Sequence, residues 1–260
     1  MTCKPFEPAD HRPQSGPQLT RARSLLFVAV MCAMLLGGCE PAPDPEVVRA
    51  EHAAEMERKA DAMEADFNAQ YDAEKWDLAK AHGDVLIDQY PNSEAAARIG
   101  ERHENAAAKA HQVREARRLT GLWSYQTQPV GKKEQLSAAI YARENVETDG
   151  KAARPVRLIF RDHPEWGRSS YLVLEAGDFD CYKGCKLAVT VDEEKPRSMA
   201  GSRPDTDDAI AMFVEDEKTL WKLAKQAGVL SIEFPVKAGG KRTASFEVGG
   251  LDPERMPGWN

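Results

Sequence analysis

Leu119-Thr120-Gly121-Leu122-Trp123-Ser124-Tyr125-Gln126-Thr127-Gln128 is the stretch on which the fold turns. Upstream, from Glu46 to about Leu119, Ala, Glu, Lys and Arg dominate, with glycine only at 83 and 100 and a single proline at 91. These are helix formers. Downstream the residues alternate with period two and are punctuated by Gly, Pro, Asn and Asp, as antiparallel strands require. The chain therefore reads as α+β: an N-terminal helical hairpin or stalk over 46–119, then a mostly antiparallel β domain over 120–260, a sandwich or curled sheet with one inserted helix.

Within the helical part, Trp76, Ala79, Gly83, Leu86, Ile87 and Tyr90 recur at steps of three and four, which puts them on one helix face. Pro91-Asn92-Ser93 breaks the pattern, and Ser93 with Glu94 caps the next helix. The passage Lys75 to Ser93 resembles the second helix and exit turn of a tetratricopeptide repeat, over one repeat at most and with no second copy at the family's period. In the β part, candidate strands are Leu122–Gln128, Leu136–Val146, Pro155–Arg161, Ser170–Ala176, Cys185–Asp192, Ala209–Val214, Val229–Val236 and Thr243–Val248. Asp216 caps the inserted helix, whose Leu220, Leu223, Ala224 and Ala227 share a face and which Gly228 ends.

Outward toward the N-terminus, residues 1–24 are polar and end in the basic pair Arg21 and Arg23; an apolar run from Leu25 to Gly38 follows. As a helix this run reaches only ~21 Å, short of the ~30 Å hydrocarbon core, and its length suits a signal peptide. Leu36-Gly37-Gly38-Cys39 resembles the lipobox of bacterial lipoproteins. The resemblance implies a signal peptide over 1–38, cleavage before Cys39 and lipidation of that cysteine, which anchors the body to a membrane. Glu40 follows directly and leaves inner or outer membrane open, while residues 40–45, Glu-Pro-Ala-Pro-Asp-Pro, form a Pro-rich, non-helical spacer behind Cys39.

Composition sets the outer limits. The 260 residues are 42% hydrophobic and 30% charged, which excludes a wholly disordered chain and an integral membrane protein. A net charge of −7 argues against a nucleic-acid partner, whose electrostatic footprint is basic. Cleavage before Cys39 would remove Cys3 and Cys32, and lipidation would occupy Cys39, leaving Cys181 and Cys185, separated by Tyr-Lys-Gly. These fit a three-residue hairpin loop whose neck brings the sulfurs together, and an oxidising envelope favours the disulfide. So short a loop contributes about 2 kcal/mol by chain entropy.

Signals of chemistry are sparse. His163 is the one histidine of the β part, in Arg161-Asp-His-Pro-Glu-Trp-Gly167, so a Ser-His-Asp site there would need it with Ser169 or Ser170. No Gly-x-Ser-x-Gly elbow, His-Glu-x-x-His pair or phosphate loop is present. The segment suits a polar hairpin loop carrying an exposed Trp166. Gly131-Lys-Lys and Gly239-Gly-Lys-Arg242 suit basic hairpin turns, and the acidic clusters at 178–180, 192–194 and 205–208 suit solvated turns. Across 154–260, Arg154-Pro-Val-Arg-Leu158, the Cys-containing segment, Ala211-Met-Phe-Val214, the Leu-rich helix, Phe246-Glu-Val-Gly-Gly-Leu-Asp252 and Gly258-Trp259 are similar to small periplasmic accessory proteins of type VI secretion. That family's cysteine near the terminal Gly-Trp is missing here, and the resemblance implies a non-catalytic role.

The expectation is a lipid-anchored, periplasm-facing, non-catalytic binding or scaffold component of the cell envelope with an envelope protein partner. It has no cofactor, metal or catalytic residue. Its candidate interaction surface comprises Trp76, Tyr90, His163 and Trp166. The alternative is an envelope enzyme or small-ligand binder using the loop around His163.

Overall fold

The computed structural model describes residues 44–206 and 210–259. The leader 1–38, Cys39 and residues 40–43 of the spacer lie outside the described residues. The chain divides into a unit Met1–His52, of which the described part is Asp44 and the opening turns of the first helix, and a unit Ala53–Asn260. No described helix is long and apolar enough to cross a membrane.

Three helices occupy the region where the composition suggested a hairpin: α1 (Pro45–Asp72), α2 (Trp76–Gln89) and α3 (Glu94–Gly121). Pro45, expected in the non-helical spacer, opens α1 instead. The first N–H groups of a helix have no helical acceptor, so a proline there loses nothing. Asp44 Oδ1 takes the Glu46 N–H at 2.8 Å. The break after α1 uses no glycine or proline: Glu74 adopts the left-handed conformation, φ 54°. Ser93 caps α3 as expected, its Oγ accepting the Ala96 N–H at 3.0 Å. The Glu57 carboxylate, reaching over from α1, takes the N–H groups of Glu94 and Ala95.

Packing in this part is built on small residues. Ala60, Phe67, Ala79, Leu86, Ala95, Ile99 and Ala106 form its buried cluster. A Cβ at Gly83 would run into the His103 ring and lie 3.2 Å from Phe67 Cδ2, so the close approach of α2 needs glycine. Along α1 and α3 the side-chain pairs Arg98–Glu64, Arg102–Asn68 and Tyr71–Asn105 each span 34 positions. A constant offset means that the two helices run parallel.

The strands are β1 (Trp123–Val130), β2 (Lys133–Tyr141), β3 (Val146–Glu147), β4 (Ala153–Arg154), β5 (Val156–His163), β6 (Gly167–Leu174), β7 (Cys185–Val191), β8 (Arg197–Ser202), β9 (Ala211–Val214), β10 (Val229–Pro235) and β11 (Lys241–Glu247). Nine of them form one antiparallel sheet in the order β1-β2-β5-β6-β9-β8-β7-β10-β11, while β3 and β4 pair separately. Of the two architectures the alternation allowed, the curled sheet is present. Inward residues from both ends of the order, Ala138, Leu158 and Leu172 with Val189, Ile232 and Phe246, belong to one core. The segment after β2 turns back onto the far strand: Arg143 N–H donates to Ser245 O at 2.7 Å, and Arg242 Nε donates to Glu147 O at 2.6 Å. The basic turns at Gly131 and Gly239-Gly240 join β1–β2 and β10–β11, with left-handed glycines. β8 carries no run of β-branched residues and escaped the alternation pattern.

Helix α4 (Glu217–Gln226) fills the inside of the curl. Asp216 Oδ1 accepts the Thr219 N–H at 3.1 Å, and Leu220, Trp221, Leu223 and Ala224 are buried. Of the acidic residues expected in solvated turns, Asp178 is buried instead, whereas Asp192 stays exposed in its turn and also braces the chain. Asp192 Oδ1 accepts the N–H groups of Gly228 and Val229. Asp178 is buried against the Arg203 guanidinium at 3.1 Å.

α3 enters β1 without a linker and is seated on the Val248–Gly250 turn. A Cβ at Gly250 would overlap the Leu119 carbonyl and the Thr120 nitrogen. Beside this contact Arg118 holds Glu247 with two hydrogen bonds, at 2.8 and 3.1 Å. These bonds hold the Glu247 carboxyl below the ordinary glutamate pKa of 4.5.

Gly250→Ala is expected to lower stability by about 1–3 kcal/mol through overpacking. Gly100→Ala, where nothing lies within 4 Å of the new methyl, should raise it by up to about 1 kcal/mol; denaturant midpoints measure both. A depressed folded pKa gives stability that is present above the unfolded value and lost as pH falls through the folded one. Glu247→Gln should therefore flatten the acid limb of a stability–pH curve below pH 4.5 and leave that limb unchanged if the ion pair is irrelevant.

Candidate functional site

In an antiparallel sheet, residues directly opposite share a face, and the face alternates along each strand. On β5, Val156, Leu158 and Phe160 point into the core, so Arg157, Ile159, Arg161 and His163 point outward. Register places Tyr141, Ala139 and Ser137 of β2 opposite Arg157, Ile159 and Arg161. On the other side Val173, Tyr171 and Ser169 of β6 take the same positions, and β9 adds Ala211 and Phe213. The result is a continuous outer patch of aromatic, aliphatic and guanidinium groups. Ile159 and Ala139 are 9% and 7% exposed yet lie outside the core cluster. They form a thin apolar layer of their own on this side of the sheet.

The arginines are held by rings. The Arg157 guanidinium lies 5.2 Å from the Tyr141 ring centre, and Arg161 lies 5.4 Å from both Trp166 and Tyr171. A cation this close to an aromatic ring is attracted by it, which holds the guanidinium at the sheet surface. No ion pair engages either arginine among the described residues. The Nε atoms of Arg157 and Arg161 and the Ser169 Oγ are buried without a hydrogen-bond partner. Buried polar groups in folded proteins are normally satisfied, so three orphans on one face mark it out.

His163 closes this patch at the β5–β6 turn. Its Nδ1 accepts the backbone N–H groups of Glu165 at 3.1 Å and Trp166 at 3.2 Å. That arrangement leaves the ring hydrogen on Nε2 and commits Nδ1 to bracing the turn. The Trp166 indole stacks on the imidazole at 4.0 Å, with planes 9° apart, and remains 69% exposed. Neither candidate serine meets the histidine. Ser170 is buried on the opposite face with its Oγ toward Val214 O, and Ser169 sits opposite Arg161.

His163 and Trp166 are thus together, whereas Trp76 and Tyr90 stand at opposite ends of α2. Trp76 packs edge-on against Tyr71 at 5.3 Å, and Tyr90 packs against the helical core. Both serve the helical part as much as its surface. Cys181 and Cys185 lie at disulfide distance, with a Cα separation of 4.9 Å. The bridge does not close the neck of a hairpin, because Cys185 opens β7 while Cys181 belongs to the loop before it. Lys183 and Gly184 are both left-handed there, where the expected turn needs only one such residue. Cys39 lies outside the described residues. Among the described residues no three His, Cys, Asp or Glu side chains gather closely enough to hold a metal ion.

Sequence reasoning did not single out Arg157, Arg161, Tyr141, Tyr171 or Phe213. The available signal was the mixture of arginine and aromatics at outward positions of two neighbouring strands. Comparison with protein-family models, curated proteins and solved structures returns no match.

His163→Ala removes both the turn's acceptor and the surface on which Trp166 stacks. It is expected to cost about 1–3 kcal/mol and to shift the Trp166 emission toward that of a free indole. An unchanged melting curve and spectrum would contradict the bracing role.

Proposed function

We propose that the protein is a lipid-anchored, periplasm-facing, non-catalytic binding or scaffold component of the cell envelope. The observation that carries the binding part is the outer face of β2, β5, β6 and β9. It presents Tyr141, Arg157, Arg161, Tyr171 and Phe213 on the sheet and Trp166 in the β5–β6 turn, with Tyr141 and Trp166 at 56% and 69% exposure. Trp, Tyr and Arg are the residues that dominate binding energy at protein interfaces. A sheet supplies the preorganisation that keeps the entropic cost of binding low.

The envelope address rests on Leu36-Gly37-Gly38-Cys39 and the apolar run before it. A cysteine pair at disulfide distance suits an oxidising compartment and supports the same address. The recurring offset of 34 positions between α1 and α3 equals the period of a tetratricopeptide repeat and supports that resemblance for the helical part. The bracing role of His163 Nδ1 weighs against an enzyme built on that loop.

Growth with an alkyne-bearing fatty acid is expected to label the wild-type protein and place it in the membrane fraction. Cys39→Ser should abolish the label and slow processing. Wild-type chain that stays unlabelled and unprocessed in the cytosol would overturn the address.

A further inference from the structure

We infer that the outer face of β5 is a docking site for an acidic polypeptide segment, one that brings two carboxylates to Arg157 and Arg161 with an apolar side chain between them. The inference deepens the binding role proposed above and rests on it. Four positions apart on one strand, the two arginines stand ~13 Å from each other at ~3.3 Å per residue. Ile159 lies midway, 9% exposed, between Ala139 and Tyr171, with Phe213 one strand further out. An extended segment with acidic residues at the same spacing matches both ends of this frame, and one apolar residue fills its centre.

The occupant's charge follows from what the face lacks. Neither guanidinium has an ion-pair or hydrogen-bond partner among the described residues, and the Nε of each is covered. With Nε covered, an incoming acceptor meets the terminal N–H groups of these half-buried arginines, and a carboxylate supplies two oxygens that can engage both terminal nitrogens at once. Two of the chain's own carboxylates beside the patch are engaged elsewhere, Glu175 facing Arg154 at 3.6 Å and Glu215 accepting the Ser202 hydroxyl. Glu165 of the β5–β6 turn makes no ion pair with either arginine among the described residues.

Other occupants fit less well. A second copy of the same face would bring arginine to arginine, because a two-fold interface meets itself. A polyanion such as nucleic acid or an anionic bilayer meets the field of a chain carrying −7, which opposes approach at long range. A short segment that brings only two carboxylates, each to an arginine, carries far less charge than a polyanion and meets less of that repulsion, because solvent and salt screen beyond ~10 Å.

The test installs amines where the guanidiniums stand. Full-length Arg157→Lys and Arg161→Lys proteins, expressed singly in cells, are treated with a carbodiimide in fresh total lysate. The reagent forms an amide between a lysine amine and a carboxylate in direct contact with it. Ser124→Lys, on the same face but on the edge strand β1, is the control. The expected result is adducts at both 157 and 161 with acidic peptides of one and the same polypeptide, in at least about tenfold higher yield than at 124. Melting within a few degrees of wild type confirms that each variant is folded.

A paired Arg157→Gln/Arg161→Gln protein should lose that partner by about tenfold in co-purification. Adducts absent from both positions, no more abundant than at 124, or formed with anything other than polypeptide carboxylates would overturn the site. Wild-type protein that binds vesicles containing phosphatidylglycerol, with binding lost in the paired variant, would overturn it in favour of a lipid surface. The adduct is read in total lysate and does not depend on the anchor. Missing adducts alongside a labelled Cys39 remove the docking site alone. An unlabelled Cys39 with adducts in place removes only the envelope address.

Discussion

Phe160 holds the register on which everything else depends. Its ring is packed edge-on by Trp221 at 5.0 Å and Trp259 at 5.3 Å, with Trp123 at 6.3 Å. A strand has a side-chain period of two, so a slip of one residue would turn Phe160 to solvent and push Arg161 inside. That exchange loses ~3–5 kcal/mol of aromatic burial and adds the several kcal/mol penalty of an unpaired buried cation. Both terms act in the same direction. This ring, with Val156 and Leu158 on the same side of β5, decides that Arg157, Ile159, Arg161 and His163 look outward together.

The cage is assembled from remote parts of the chain, and this ties the termini of the unit to its centre. Trp221 comes from α4 and Trp123 from the first strand after α3. Trp259 arrives from the C-terminal turn, whose Gly258 carbonyl accepts a hydrogen bond from Arg168 at 2.8 Å. The helical part is held differently. Arg98 is 46% exposed where it meets Asp61 and Glu64, so these pairs contribute little stability. Their effect is alignment: they fix how far α1 has slid along α3, while Phe67, Leu86, Ile99 and the buried alanines supply the cohesion.

How much of this was legible in the sequence depends on range. Local rules worked where partners are local. Alternation located β7 and β10, Asp216 and Ser93 announced their helices, and the change of period at Thr120-Gly121 marked the passage from helix to strand. The break at Glu74 was invisible because a left-handed glutamate leaves no compositional trace. α1 buries so few residues, Ala60 and Phe67 among them, that its face gave no periodic signal. Asp178 looked like a turn carboxylate because its partner Arg203 lies 25 positions away. The candidate site was hidden for the same reason. Outward arginines on a strand look like ordinary solvated residues until pairing brings Tyr141, Tyr171 and Phe213 beside them. Trp166 was visible because a turn tryptophan has nowhere to be buried.

If Phe160 sets Arg157 and Arg161 outward and an acidic partner covers them in the cell, the two arginines change their accessibility together. Arginine footprinting with phenylglyoxal, read by peptide mass spectrometry, compares purified protein with intact envelopes. In the purified protein both arginines should react while Arg203, with its side chain 2% exposed, stays unmodified. In envelopes both should be protected together. Equal reactivity of Arg157 and Arg161 in the two preparations would contradict occupation of the face, and inert arginines in the purified protein would contradict the register itself.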